Sequence, residues 1–240
     1  MRQVPRYLVI GNGRVAKHFK HYLSLLNIPF SSWNKTETTP DLKKKLSQAT
    51  HALALISDDA INSFIEKNFN ENNSVMWIHF SGSLVSPIAI GAHPLMSFNS
   101  SFYTLDHYKK IPFILDNDAP EFEKILPGLS NPHAYLDKNL KAKYHALCVL
   151  SGNFSCLLWQ KLFSDFKKEF NFPESIAHPY LIQQTQNLIF NFKTALTGPL
   201  VRNDKNTIEK NLQALDGDFF QEIYKTFVNC YEKIKNEKTL

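Results

Sequence analysis

Along the first 135 residues, short apolar runs alternate with stretches whose apolar residues recur every three or four positions. Tyr7–Ile10 (YLVI) is a continuous apolar run ending at Gly11, the pattern of a strand buried on both faces of a parallel sheet. From Arg14 to Leu26 the apolar residues fall at Val15, Phe19, Tyr22, Leu23 and Leu26, which predicts an amphipathic helix. Further strands are predicted at Pro29–Trp33, His51–Ile56, Val75–Phe80, Ala89–Ala92 and Pro112–Leu115. Ser57-Asp58-Asp59 offers caps for a helix over Ala60–Phe69, and Asp118 a cap for one from Ala119. Lys43-Lys44-Lys45 reads as the solvated face of a short helix. Strands alternating with helices predict right-handed crossovers and an α/β fold with a doubly wound, mostly parallel sheet.

From about Asp137 the period changes. Helical patterns run over Lys138 to about Phe170, Glu174 to about Leu196, Asn206–Leu215 and Phe219–Lys235, broken by Pro173, Gly198-Pro199 and Gly217. Asn206 to Glu209 has the form of a capping box. The chain thus divides into an α/β part, residues 1–136, and an all-helical part, residues 137–240.

Composition then removes whole classes of function. The 240 residues are 43% apolar and 20% charged, with 8 Gly and 12 Pro, unlike a collagen-like or broadly disordered chain. No apolar run approaches the roughly 18 residues of a membrane span. The basic start lacks the apolar stretch of a secretory signal, so a cytoplasmic protein is expected. Cys148, Cys156 and Cys230 are odd in number and read as reduced thiols; no Cys/His set has metal-ligand spacing, so no metal is expected. The net charge of +5 is evenly spread, 13 basic against 11 acidic residues through position 135 and 14 against 11 beyond it. A nucleic-acid surface would concentrate that charge, so neither nucleic acid nor membrane is an expected partner.

Gly11-Asn12-Gly13-Arg14-Val15-Ala16 has the form G-x-G-x-x-A directly after a strand and at the opening of a helix. The first glycine permits the tight turn, the second lets the backbone approach a pyrophosphate, and Ala16 allows close packing of helix on strand. The helix N-terminus favours the anion. An NAD-binding fold usually carries Asp or Glu at the end of the second strand. Here that place reads Asn34-Lys35-Thr36, which suits a 2′-phosphate, so NADP is expected over NAD.

Ligands of such sheets sit outside the carboxyl ends of the strands. Those ends offer Ser57 and Asp58, then His79 and Ser81, then His93. Lys141, His145 and Asn153 fall on one broad face of the first long helix of the second part. Gly152, costly inside a helix, adjoins Asn153, and one reason for it is close approach by a ligand or another backbone. His145 suits a general acid or base. Lys141 could orient an anionic substrate. Neither Ser-Gly pair, at Gly82 or Gly152, forms the G-x-S-x-G elbow of a hydrolase.

Several segments together carry a resemblance. They are Gly11-Asn-Gly-Arg-Val-Ala16, Trp33-Asn-Lys-Thr36, Ser57-Asp-Asp-Ala-Ile61, His79-Phe-Ser-Gly82 and Ala92-His-Pro-Leu95. Tyr144-His-Ala146, Ser151-Gly-Asn153 and Thr197-Gly-Pro-Leu-Val-Arg-Asn-Asp204 complete the set. The chain resembles, over nearly its whole length, the Rossmann-like proteins with a DUF2520 helical domain. These are relatives of pyrroline-5-carboxylate reductase and ketopantoate reductase described as NADP oxidoreductases. The resemblance implies an N-terminal dinucleotide-binding domain and a helical domain that closes the active site and builds a dimer. It also implies that Asn34-Lys35-Thr36 meets the 2′-phosphate. One departure is Asn203, where the family loop commonly has Gly; asparagine tolerates the left-handed conformation a turn there needs.

The expected function is NADP-dependent hydride transfer to or from a C=O or C=N group of a small, anionic substrate. His145 would supply the proton, His93 and Asn153 would contact substrate or nicotinamide, and His79, Lys141 and Arg202 would bind substrate. The expected assembly is a homodimer through the C-terminal helices. The alternative is a nucleotide-binding sensor, or a dimeric scaffold, without turnover.

Overall fold

Strand β1 (Tyr7–Ile10) is fully buried because its residues feed two cores in alternation. Tyr7 and Val9 pack with Phe19, Tyr22 and Leu23 of helix α1 (Arg14–Leu25). Leu8 and Ile10 pack with Leu42 and Leu46 of α2 (Thr39–Gln48) and with Ile61 and Ile65 of α3 (Asp58–Asn68). The structure, a computed structural model, describes residues 5–68 and 75–237. It divides into two compact units, Met1–Leu157 and Leu158–Leu240.

The first unit holds one sheet of seven strands. After β1 come β2 (Phe30–Trp33), β3 (His51–Ala54), β4 (Met76–His79), β5 (Ile90–Pro94), β6 (Phe113–Asp116) and β7 (His133–Leu136). Their order is β2-β1-β3-β4-β5-β6-β7, and every pairing is parallel except β5 with β6. The doubly wound α/β class is therefore as expected. Strand β7 was not expected, because HAYL is short and three of its four residues are exposed.

Local chemistry explains the helix starts. Thr38 and Asp41 form a reciprocal capping box at α2, and Thr104 caps the short α4 (Leu105–Lys109) by accepting from the His107 amide. Helix α3 begins at Asp58, and Phe69, expected at its end, lies outside the described residues. The helix expected from Ala119 is the single turn α5 (Phe122–Ile125), entered through Glu121. Asp118 does not cap it, because its carboxylate is held 2.7 Å from the Lys138 ammonium.

A continuous helix runs over Lys138–Lys168. It opens with a tight turn, continues as α6 (Lys141–Cys148), widens into a π segment (Val149–Phe154) and ends as α7 (Ser155–Lys168). At 31 residues, with mean hydropathy 1.2 over its most apolar window, it meets the length and composition of a membrane span, although no unbroken apolar run marks it in the sequence. The division between the two units falls inside it.

The second unit adds α8 (His178–Asn191), α9 (Pro199–Arg202), α10 (Lys205–Ala214) and α11 (Phe220–Glu237). The cap of α10 is Asp204, which accepts from the Thr207 amide, two residues ahead of the expected Asn206. Asn203 is left-handed at φ 54°, as its replacement of glycine requires. No residue of α8 is buried, and Phe190 is 91% exposed.

Candidate functional site

In this sheet the chain steps from β1 outward to β2 on one side and to β3 on the other. The crevice at the carboxyl ends of β1 and β3 is the switch point where such folds bind ligands. A cavity of about 830 Å³ opens there. Every residue expected to hold the cofactor lines it: Gly11, Asn12, Gly13, Arg14, Val15, Ala16, Asn34, Lys35, Thr36, Ser57, Asp58 and Ser81. The sequence reading missed its apolar walls, Trp33, Leu55, Ile56, Phe64 and Phe80. Their only signal was position at or just beyond a strand end.

The glycine turn is built as the cavity requires. Gly11 has φ +123°, and a Cβ there would run into the Leu55 carbonyl; its amide donates to the Trp33 carbonyl at 2.8 Å. Gly13 caps α1 without any side-chain hydrogen bond, and a Cβ on it would have nothing within 4 Å. The first turn of α1 holds no acidic residue. Its free amides therefore face open space with no competing carboxylate, and the residues present fit a pyrophosphate.

The loop after β2 is equally prepared. Asn34 Oδ1 accepts from the Thr36 amide at 3.1 Å and from its hydroxyl at 2.8 Å. Glu37 accepts from the Asn34 amide at 3.1 Å and is ion-paired with Lys45, which also donates to the Ser32 carbonyl. The Lys45 ammonium beside it holds the Glu37 carboxyl below its usual range. That carboxylate is thus occupied, while Lys35 is exposed at the cavity wall without an ion-pair partner among the described residues. At the other wall, the Ser81 hydroxyl donates to Asp58 and accepts from the Leu84 amide at 3.0 Å, which ties the turn after β4 to the start of α3.

Beyond Ser81 lies a cluster of imidazoles. His93 Nδ1 is hydrogen-bonded to the Tyr144 hydroxyl at 2.8 Å, and its ring meets that of His145 edge-on at 5.9 Å. Gly82 lies against both rings. Burial raises the Tyr144 phenol above its ordinary range. His79 is completely buried, and its Nδ1 accepts from the Ser81 amide at 3.2 Å. Its Nε2 has no hydrogen-bond partner among the described residues. A ring enclosed in the strand cannot touch a substrate, so the binding role expected for His79 is withdrawn.

Lys141 also departs from expectation. Its ammonium lies 2.6 Å from Asp116 Oδ1, with the two side chains 5% and 2% exposed. A lysine committed to a buried carboxylate has no charge to offer an anionic substrate. Asn153 is exposed in the π segment. A π turn carries an extra residue and so rotates the residues after it back by about 100°. No side chain or backbone lies near a Cβ built on Gly152, so close packing does not explain this glycine among the described residues. Arg202 belongs to the second unit, exposed at the end of α9; the neighbouring Asp204 carboxyl is lowered chiefly by its hydrogen bonds from Thr207, with Arg202 a smaller contributor. Among the described residues, no group of three or more metal-ligating side chains occurs.

Burial pushes His79 and His93 down to about 4; Lys141 adds to the effect at His79, and His145 and then Lys141 at His93. Both are neutral in the folded chain at neutral pH and regain an ordinary value near 6.5 on unfolding. The unfolded chain therefore binds more protons between about pH 4 and 6.5, and this part of the stability is complete above that window and lost as the pH falls through it. Urea unfolding at stepped pH should show the decline, and His93→Gln should make it shallower.

The profile of a family described as "Domain of unknown function (DUF2520)" matches residues 115–230, beginning inside β6. No curated protein matches the sequence. Among solved structures, a Bacteroides fragilis protein described as a putative NADP oxidoreductase is 21% identical, with a TM-score of 0.76 over 95% of this chain and 98% of that one. A Streptomyces aurantiacus imine reductase is 13% identical, with a TM-score of 0.64 over 97% and 95%. The Plasmodium falciparum pyrroline carboxylate reductase with NADP bound is 12% identical, with a TM-score of 0.59 over 97% of each chain. At these identities the likeness is one of fold. Residues 115–230 are thus similar to the DUF2520 family, and the α/β fold is similar to that of these Rossmann-type structures.

Proposed function

We propose that the chain binds NADP in the cavity at the ends of β1 and β3 and is an oxidoreductase acting on a C=O or C=N group of a small molecule. One observation carries this reading. One cavity joins an anion-ready helix start at Gly13 to Lys35, which has no ion-pair partner among the described residues, while the neighbouring Glu37 is tied up by Lys45. Similar folds described as NADP-bound or as reductases support it.

When bound, the cofactor supplies the hydride chemistry. The protein's own share is charge, shape and a proton. Arg14 and Lys35 offer positive charge along the cavity wall, and Trp33, Phe64 and Phe80 offer apolar surface. His145 is the proposed proton donor, with His93 and Asn153 as contacts for substrate or nicotinamide. With Lys141 committed to Asp116, that lysine is not available to an anionic group on the substrate.

Lys35→Glu places a negative charge where a 2′-phosphate would sit. It should weaken NADPH by about tenfold or more relative to NADH, about 1.4 kcal/mol. Calorimetry that finds the same NADPH-to-NADH ratio in wild type and variant would remove Lys35 from this role.

We also propose a homodimer formed by the helices of the second unit. Ile189, Phe190 and Phe219 stand exposed there, and helix α8 buries none of its apolar residues. Large apolar side chains left this exposed suit an interface, and a second copy with two-fold symmetry is the simplest cover for them. Light scattering at micromolar concentration should give twice the 27.6 kDa chain mass. A mass equal to one chain would refute the dimer.

A further inference from the structure

A proton donor on α6 needs no buried lysine one turn before it, yet Lys141 and Asp116 are among the least exposed charged side chains of the first unit. Burying two charges costs several kcal/mol each in desolvation, and a well-packed apolar pair of similar volume is often as stable or more so. Net stability is therefore a poor reason for the pair. Direction is a better one. Asp116, at the end of β6, is fixed by the Gly91 amide, which donates to its Oδ2 at 2.8 Å. Its Oδ1 then takes the Lys141 ammonium at 2.6 Å. Gly91 makes the room, since a Cβ there would collide with Lys141 Nζ and lie 2.7 Å from Asp116 Oδ1.

The same helix turn makes two more fixed contacts. Tyr144 reaches His93 of β5. His145 lies against Gly82, where a Cβ would sit 2.6 Å from His145 Cδ2 and 3.2 Å from His93 Nε2. Residues 141 and 145 are neighbours on one helix face. An ammonium anchored on β6 therefore dictates where the imidazole one turn later points.

We infer that Lys141, Asp116 and Gly91 form a positioning device that holds α6 in a single register on the sheet and aims His145 across Gly82 beside His93. Its consequence for turnover rests on the proposed reductase function; its geometry does not. Lys141 thus acts through His145 rather than on a substrate.

The test compares wild type with Asp116→Leu/Lys141→Met, which replaces the pair by apolar bulk, and with Gly82→Ala, which crowds the two rings directly. Carbon–proton correlation spectra of the histidine rings are recorded on the NADPH-loaded protein. They are read beside urea unfolding, NADPH calorimetry, and NADPH oxidation with whichever keto acid or cyclic imine the wild type accepts. The double variant should keep its unfolding midpoint and NADPH affinity. The His93 and His145 ring signals should shift or broaden in both variants, while those of His18 and His133 stay in place. The kcat should fall about 10- to 100-fold with KM unchanged, the range for a displaced catalytic group. Unmoved His145 signals in the double variant overturn the inference, whether or not a substrate has been found. Moved signals with full kcat also overturn it, because the pair is then structural only. Should the double variant fail to fold, Lys141→Arg, which keeps the charge but displaces the anchor, decides by the same signals. Absence of any accepted substrate counts against the reductase reading alone, and the ring signals still decide the positioning.

Discussion

Gly13→Val should abolish NADPH binding and leave the fold standing. The two glycines of the turn differ in what surrounds them. A side chain at Gly11 would meet the Leu55 carbonyl in a backbone conformation that L residues rarely adopt. Gly11→Val therefore damages the end of β1 itself and lowers stability. A Cβ at Gly13 has nothing within 4 Å among the described residues and lies at the cavity wall, where a pyrophosphate would approach the helix start. Valine in place of glycine at a helix cap costs about 1 kcal/mol, which a two-core α/β unit tolerates. The loss of affinity should exceed about 100-fold, about 2.7 kcal/mol. Calorimetry together with urea unfolding separates the two effects. A Gly13→Val variant that binds NADPH normally would place the nucleotide elsewhere.

His145→Ala should reduce turnover by about 10²–10⁴-fold, the range for losing a positioned acid. NADPH affinity should hardly change, because none of the residues lining the nucleotide cavity is His145. His145→Gln is the sharper variant, since an amide keeps a hydrogen bond but gives up no proton at useful pH. Steady-state kinetics on one accepted substrate reads both. If both variants keep full activity, His145 is not the proton donor. His79 is no alternative, because its ring is sealed inside the strand end.

The parts of this site that sequence exposes are those whose chemistry is local. Gly11, Gly13 and Ala16 sit in one turn, and their spacing states the demand of a strand, a tight turn and a helix start. Asn34-Lys35-Thr36 comes after the next strand at a predictable distance. Both segments line the cavity. What sequence hides is partnership across the chain. Lys141 reads as a free cation until β6 turns antiparallel to β5 and brings Asp116 beside Gly91. Gly82 and Gly91 read as loop or strand glycines, and their use as space for His145 and Lys141 appears only when α6 is laid on the sheet. Helix ends show the same limit. Asp118 and Asn206 are acceptable caps in isolation, but Lys138 claims the first and Asp204 stands ahead of the second. The helical pattern over Lys138 to about Phe170 likewise does not disclose the π segment at Val149–Phe154.

The central claim is that the cavity at the ends of β1 and β3 is an NADP site, and the most direct test is parallel calorimetric titration of the wild-type protein with NADPH and NADH. One nucleotide site per chain is expected, with NADPH bound at least about tenfold more tightly than NADH, about 1.4 kcal/mol. NADH bound as tightly as NADPH would contradict the role given to Lys35. Binding of neither nucleotide would contradict the claim itself.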